Sequence, residues 1–561
     1  MNLTKRPRSR CALVLACLLG TCGSLGAADG LSADEIAQLK AQIAAQQKQL
    51  EALQSTIAAQ QKMLDAATSA TPATPAAKPV LLGEVASLTP IIPQAPANPT
   101  IPLVAQKTGQ ASANPCEVGY EGNAVPPYLR LGSVCIQPVG FMDLTMVWRD
   151  KNAGSSIGTN FGSIPYNTTN PQSKLSEFRF SPQNSRIGFR IDGDWKGAHF
   201  IGYNEFDFLS SATPGSADVS NGAFVPRLRL FWVDVRKRNW EFLGGQSWSM
   251  LVPNRTGISA LPSDLFYSQV IDVNYVAGLP WTRQPGFRVL YHTNDNKATF
   301  GVSFEEPTQY SGGSAGGSPI TLPAALTSLN GSQLDNTSGN VLSTPNLMPD
   351  IIAKIAFDPG SRVHFEFAGI MRAFKIWNPT ITTSNTYSTT FTGGGAFNGN
   401  FEVVKGLRLV TNNFVGPGVG RYLFGQAPDL VVTASGTIKP LKAGGFVEGF
   451  ELTKGKSMFY GYFGDIYIQR YVVVDADGKT LVGYGYRGAP NSQNRNLQEI
   501  TVGFNQTLWK DPKWGAINFM GQYMYMLRYP WYLAPNAPKS AHDNTIYLNL
   551  RYTLPGSMPK F

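Results

Sequence analysis

Near the end of the chain the sequence runs Thr545-Ile546-Tyr547-Leu548-Asn549-Leu550-Arg551-Tyr552. Ile546, Leu548, Leu550 and Tyr552 share one parity, and Thr545, Tyr547, Asn549 and Arg551 share the other. Successive side chains of a strand point to opposite faces, so the stretch predicts a β-strand with one apolar and one polar face.

The same alternation recurs upstream. Ile187, Phe189 and Ile191 oppose Arg186, Gly188 and Arg190; Phe206 and Phe208 oppose Glu205 and Asp207; Leu228, Leu230 and Trp232 oppose Arg227 and Arg229. Phe300, Val302 and Phe304 oppose Thr299, Gly301, Ser303 and Glu305, while Val363, Phe365 and Phe367 oppose Arg362, His364 and Glu366. A soluble β-sandwich and a membrane barrel both alternate in this way. Two features favour the barrel: the array extends over more than 400 residues without a convincing helix, and Tyr523, Tyr525, Tyr529, Trp531 and Tyr532 sit where interfacial aromatic girdles belong. The expected fold is all-β, a transmembrane antiparallel β-barrel over residues 141–561. Stretches rich in Gly, Ser, Thr and Asn at 154–173, 311–346, 380–399 and 412–428 read as loops, one of which is expected to fold inward and narrow the pore.

Composition agrees: 43% apolar, 15% charged and 57 glycines suit a long β protein, and outside the N-terminus there is no apolar run long enough for a membrane helix. Lys5, Arg6, Arg8 and Arg10 precede an apolar run, Cys11 to Gly20, and small residues ending Gly26-Ala27-Ala28, the pattern of a secretory signal peptide over 1–28. The formal charge of +10 includes four basic side chains and no acid in that segment, which leaves +6 on the rest. The remaining basic residues are dispersed, which argues against a nucleic-acid partner.

Ile36, Leu39, Ile43, Gln46, Leu50, Leu53, Ile57, Gln60 and Leu64 form a heptad series over 29–65, with Ile36, Ile43, Leu50, Ile57 and Leu64 at a. This predicts a periplasmic α-helical coiled coil compatible with three strands; an unpaired helix lying on the barrel or on peptidoglycan is the alternative. Residues 66–115, with Pro72, Pro75, Pro79, Pro90, Pro93, Pro96, Pro99 and Pro102, read as a semi-rigid linker. Removal of the signal leaves Cys116 and Cys135, which an oxidising compartment would join to close the segment 116–140. Such a loop is worth about 3 kcal/mol. A redox or metal pair would want CxxC spacing or nearby histidines, and neither is present.

A channel needs no catalyst, and the residues of interest are those whose charge meets a solute. Arg186, Arg190, Arg227, Arg229, Arg288, Arg362, Arg408 and Arg551 fall on polar parity and are expected to face the lumen, with Glu205 and Asp207. As permanent forked cations they would draw anions through the pore; alternatively they pair with Glu205, Asp207 or Glu366 and stiffen the wall. Gly312-Gly313-Ser314-Ala315-Gly316 matches a nucleophile elbow only formally, lacking a strand-turn-helix context. The glycines at 416, 418 and 420 suit a tight inward loop better than a dinucleotide site. His199, His292, His364 and His542 are not spaced for a metal, so no cofactor or metal is expected. A barrel enzyme and a soluble β-rich adhesin are the competing readings; an energised receptor would need a plug domain, for which 29–140 is too poor in core residues.

The order of signal, heptad arm, proline-rich tether and barrel resembles the DcaP-like trimeric porins of Gram-negative outer membranes. Ser185-Arg186-Ile187-Gly188-Phe189, Glu205-Phe206-Asp207-Phe208, Pro226-Arg227-Leu228-Arg229, Gly245-Gln246-Ser247-Trp248, Gly418-Val419-Gly420-Arg421-Tyr422 and Asn549-Leu550-Arg551-Tyr552 carry the likeness. The resemblance implies a barrel of about 16 strands, a homotrimer in outer-membrane lipid, and passage of small anionic solutes such as dicarboxylic acids.

Overall fold

The computed structural model describes residues 129–555, apart from 167–169, 210–223, 315, 337–343, 381–386 and 512–513. The expected signal peptide, coiled coil and linker lie outside the described residues, as does Cys116. The described chain forms one closed antiparallel barrel of 16 wall strands.

In chain order the first eight are β1 (Val134–Arg149), β2 (Glu177–Ser181 continuing as Arg186–Trp195), β3 (Ala198–Asp207), β4 (Arg227–Lys237), β5 (Trp240–Trp248), β6 (Arg283–His292), β7 (Ala298–Glu305) and β8 (Asp350–Gly360). The second eight are β9 (Val363–Trp377), β10 (Tyr387–Val404), β11 (Leu407–Pro417), β12 (Lys442–Lys454), β13 (Ser457–Ile468), β14 (Asn494–Asp511), β15 (Gly515–Pro530) and β16 (Ala541–Thr553). Both halves of β2 pair with β1, whose opposite edge pairs with β16 from Phe141↔Thr553 to Arg149↔Thr545. That last pairing closes the wall and leaves no open edge in lipid, where unpaired backbone groups have no water to bond.

The burial pattern is the inverse of a soluble protein's. On β16 the polar-parity residues Tyr547 and Asn549 are 0% and 1% exposed, whereas Leu548 and Leu550 are 37% and 50% exposed. The apolar rows point out of the barrel and the polar rows point in. Exposed Trp195, Trp240 and Trp514 mark one end of the wall; Trp377, Tyr387 and Tyr467 mark the other. These are the two aromatic girdles of a membrane-spanning barrel. Tyr523, Tyr525 and Tyr529 lie on β15, and Trp531 and Tyr532 just beyond its end.

Connections differ sharply between the two ends. At one end the turns 196–197, 238–239, 361–362, 405–406 and 455–456 hold two residues each. At the other, the described parts of the long loops 150–176, 249–282, 306–349 and 418–441 fold into the lumen and build a core there from Ile157, Phe161, Ile258, Ile271, Leu326 and Leu423.

Three sequence expectations change. The wall begins at Val134, ahead of Phe141, so Cys135 lies in β1; it is disulfide-bonded. The stretch 380–399 belongs largely to β10: a Cβ on Gly393 would stand 2.1 Å from the Ile370 carbonyl oxygen, so glycine here permits close strand pairing rather than marking a loop. Likewise Asn412 to Pro417 complete β11, and only the residues from Gly418 onward form a loop.

Candidate functional site

The lumen is organised by the loop 249–282. A segment crossing the interior must satisfy its backbone N–H groups, and inward side chains of distant strands accept them. Met250 N donates to Glu305 (2.8 Å), Asn254 N to Glu366 (3.2 Å), Ile271 N to Gln522 (2.6 Å) and Ala277 N to Glu499 (2.8 Å). Arg255 binds Glu451 through both terminal nitrogens at 2.8 and 2.7 Å, and Gln269 N donates to the Tyr462 hydroxyl at 3.0 Å. The loop is thus fastened to β7, β9, β12, β13, β14 and β15. Asp272, at its far reach, accepts from Thr159 Oγ1 at 2.5 Å and from the Tyr547 hydroxyl at 3.2 Å, and burial pushes its carboxyl above the usual carboxylate range. The bonds to Glu366 and Glu451, charged acceptors, contribute about 1.5–3 kcal/mol each, and together with the neutral ones they hold the loop across the lumen.

Beside this loop, β2 to β6 bring together an arginine cluster. Asp207 accepts from Arg227 Nε and Nη2 at 2.9 and 2.7 Å and from Arg229 Nη1 at 2.7 Å. Arg229 Nε donates to Glu205 at 2.7 Å, and Arg186 reaches Glu205 at 3.5 Å and the Tyr275 hydroxyl at 3.0 Å. Arg283 joins them over the Trp248 ring at 5.3 Å; its Nη1 is buried with no hydrogen-bond partner among the described residues. Trp248 and Trp281 pack at 3.9 Å with their planes tilted by 37° and form an apolar flank.

From the opposite side the loop 418–441 contributes Arg421, which donates to Asp350 at 2.7 Å. Gly418 turns this loop inward at φ +71°, where a Cβ would meet Thr392 at 2.5 Å. The sequence reading of an inward loop holds at Gly418 and Gly420, whereas Gly416 lies in β11. Between the two sides lies a cavity of about 630 Å³. Arg227, Arg229, Arg283 and Arg421 line it, and among the described residues Asp335 is the one lining carboxylate.

The other expected site residues are spread through the lumen. Arg190 is held by Asp192 (2.8 Å through both Nε and Nη2), Arg551 by Asp143 (2.7 Å), and Arg288 donates to Ser247 Oγ (2.9 Å). Arg408 bonds Asn400 and lies 3.9 Å from Glu402. Arg362 departs from its expected position: it sits exposed in the turn 361–362, past the end of the strand where parity still applies. Glu366 pairs with Lys354 (2.8 Å) and His364 (3.3 Å), not with an arginine. Arg283 and Arg421 were not singled out by parity, because one stands at the loop end of its strand and the other on a loop.

No protein-family model and no curated protein matches the sequence. Among solved structures, the outer membrane channel DcaP of Acinetobacter baumannii is similar over 75% of this chain and 97% of that one, at a TM-score of 0.52 and 16% identity. An anion-selective porin from Comamonas acidovorans covers 75% of this chain and 99% of its own at a TM-score of 0.41 and 11% identity. Salmonella typhi OmpF in complex with daunomycin covers 76% and 100% at 0.42 and 10%. At such identities the likeness to the DcaP channel is one of fold, and it agrees with the 16-stranded barrel described above.

Proposed function

We propose that the chain is an outer-membrane porin through which small anionic solutes, dicarboxylates among them, diffuse into the periplasm. The cavity walled by Arg227, Arg229, Arg283 and Arg421 carries this reading, since four guanidinium groups face it against one lining carboxylate among the described residues. In a narrow passage of low dielectric such an excess of one sign concentrates counter-ions. Guanidinium forks on two sides of one space match a solute with a carboxylate at each end.

The fold shared with an outer membrane channel supports the location. Short turns at one end and long loops at the other support an orientation with the turns toward the periplasm. Three copies stapled by the 29–65 heptads complete the proposed assembly, with peptidoglycan a further contact of the arm.

Swelling of liposomes containing the full chain tests the reading. Succinate is expected to enter faster than a diamine of equal length; equal rates, or faster entry of the diamine, would remove it.

A further inference from the structure

On the outer surface at the loop end, two arginines lie against one aromatic group and a third lines the cleft beside it. Arg470 and Arg495 lie 5.5 and 5.8 Å from the Trp531 ring centroid, and Arg495 also lies 6.0 Å from that of Tyr529. Tyr467, exposed at the end of β13, packs edge-on against Trp531 at 6.2 Å. Arg487 joins Arg470 across a cleft of about 490 Å³ that is also lined by Tyr471, Val472 and Leu481. All three arginines are exposed, and none forms an ion pair with a carboxylate among the described residues.

The cluster is built rather than incidental. Trp531 is fixed by donation from Nε1 to the Ile468 carbonyl at 2.9 Å and from its backbone N to Gln493 at 3.1 Å. Gly485 lets the 471–484 hairpin close onto it: at φ +71°, a Cβ there would stand 2.7 Å from the Trp531 ring and 2.9 Å from Arg470. Below the arginines run the outward apolar rows of β13 and β14, with Phe463, Ile500 and Val502 exposed. Above them the hairpin exposes Val472 and Val474.

Permanent cations therefore sit at the upper edge of an apolar band, with aromatic rings between. A ligand that satisfies both has an anionic head and hydrocarbon tails, and phosphate is the head that guanidinium forks grip best. We infer that Arg470, Arg487 and Arg495 bind the phosphate of an outer-leaflet glycolipid whose acyl chains lie along the wall of β13 to β15. The inference rests on the outer-membrane reading above and adds a lipid site to it.

The test uses the full chain in phosphatidylcholine nanodiscs doped with bisphosphorylated lipid A, with bound lipid counted by native mass spectrometry. Retention should fall about ten- to a hundredfold when Arg470, Arg487 and Arg495 are all changed to Ala. It should fall similarly for the unaltered chain when the lipid is dephosphorylated, and inorganic phosphate should not compete at millimolar levels. Equal retention of phosphorylated and dephosphorylated lipid by the unaltered chain would overturn the site even if the triple variant failed to fold. Single-channel conductance measured in parallel separates the two proposals: a conducting triple variant that has lost the lipid supports the site, whereas no conductance from either protein would instead count against the porin.

Discussion

Arg229 and Asp207 meet at 2.7 Å with both side chains buried, and Arg227 closes on the same carboxylate at 2.7 Å. One acid thus holds two of the four cations that line the cavity. Asp207→Asn should cost stability and sharpen selectivity together. Breaking a buried ion pair costs about 3 kcal/mol or more, while the freed positive charge should raise the ratio of chloride to potassium permeability. Urea unfolding and zero-current potentials on the same variant check both halves.

Arg283 presents the converse case. Its Nη1 has no hydrogen-bond partner among the described residues, and its guanidinium lies over Trp248. Arg283→Gln should therefore leave unfolding within about 1 kcal/mol of the unaltered chain, yet lower the anion permeability ratio measurably. A large stability loss with unchanged selectivity would recast this arginine as a strut.

The Arg255–Glu451 bridge fastens the 249–282 loop at 2.7 Å. Glu451→Gln removes the charge and keeps the shape, so the loop should loosen without being lost. The expected result is a larger and noisier single-channel conductance, with the barrel still resistant to unfolding in cold detergent. Unchanged conductance would show that the remaining attachments of the loop suffice.

The outward direction of the apolar rows can be tested on β16. Leu548→Arg places a charge on the lipid face and should cost about 2–4 kcal/mol near the bilayer midplane. Leu548→Phe should fold normally. If the arginine variant is as stable as the unaltered chain, the wall does not face lipid there.

Much of the fold was legible because a half-buried strand writes its two environments into alternate residues, as 545–552 does. Parity also placed Arg186, Arg190, Arg227, Arg229, Arg288, Arg408 and Arg551 on the inner side of the wall. It failed where local composition and tertiary pairing disagree, as at Gly393 to Gly395, which look like loop and are held in β10 by their neighbours. It was silent on the cavity itself: Arg283, at the loop end of its strand, and Arg421, on a loop more than a hundred residues later, line one space only because the chain folds both into one lumen, and no local period records that. The anchoring of the loop by Glu366 and Glu499 was equally hidden, since there each accepts from a backbone group of a distant loop.

The most direct test is the zero-current potential of single channels of the full chain in a planar bilayer under a potassium chloride gradient. The arginine-lined lumen predicts stepwise conductance and a potential of the sign set by chloride. A potential of the sign set by potassium, or a membrane that never conducts, would contradict it.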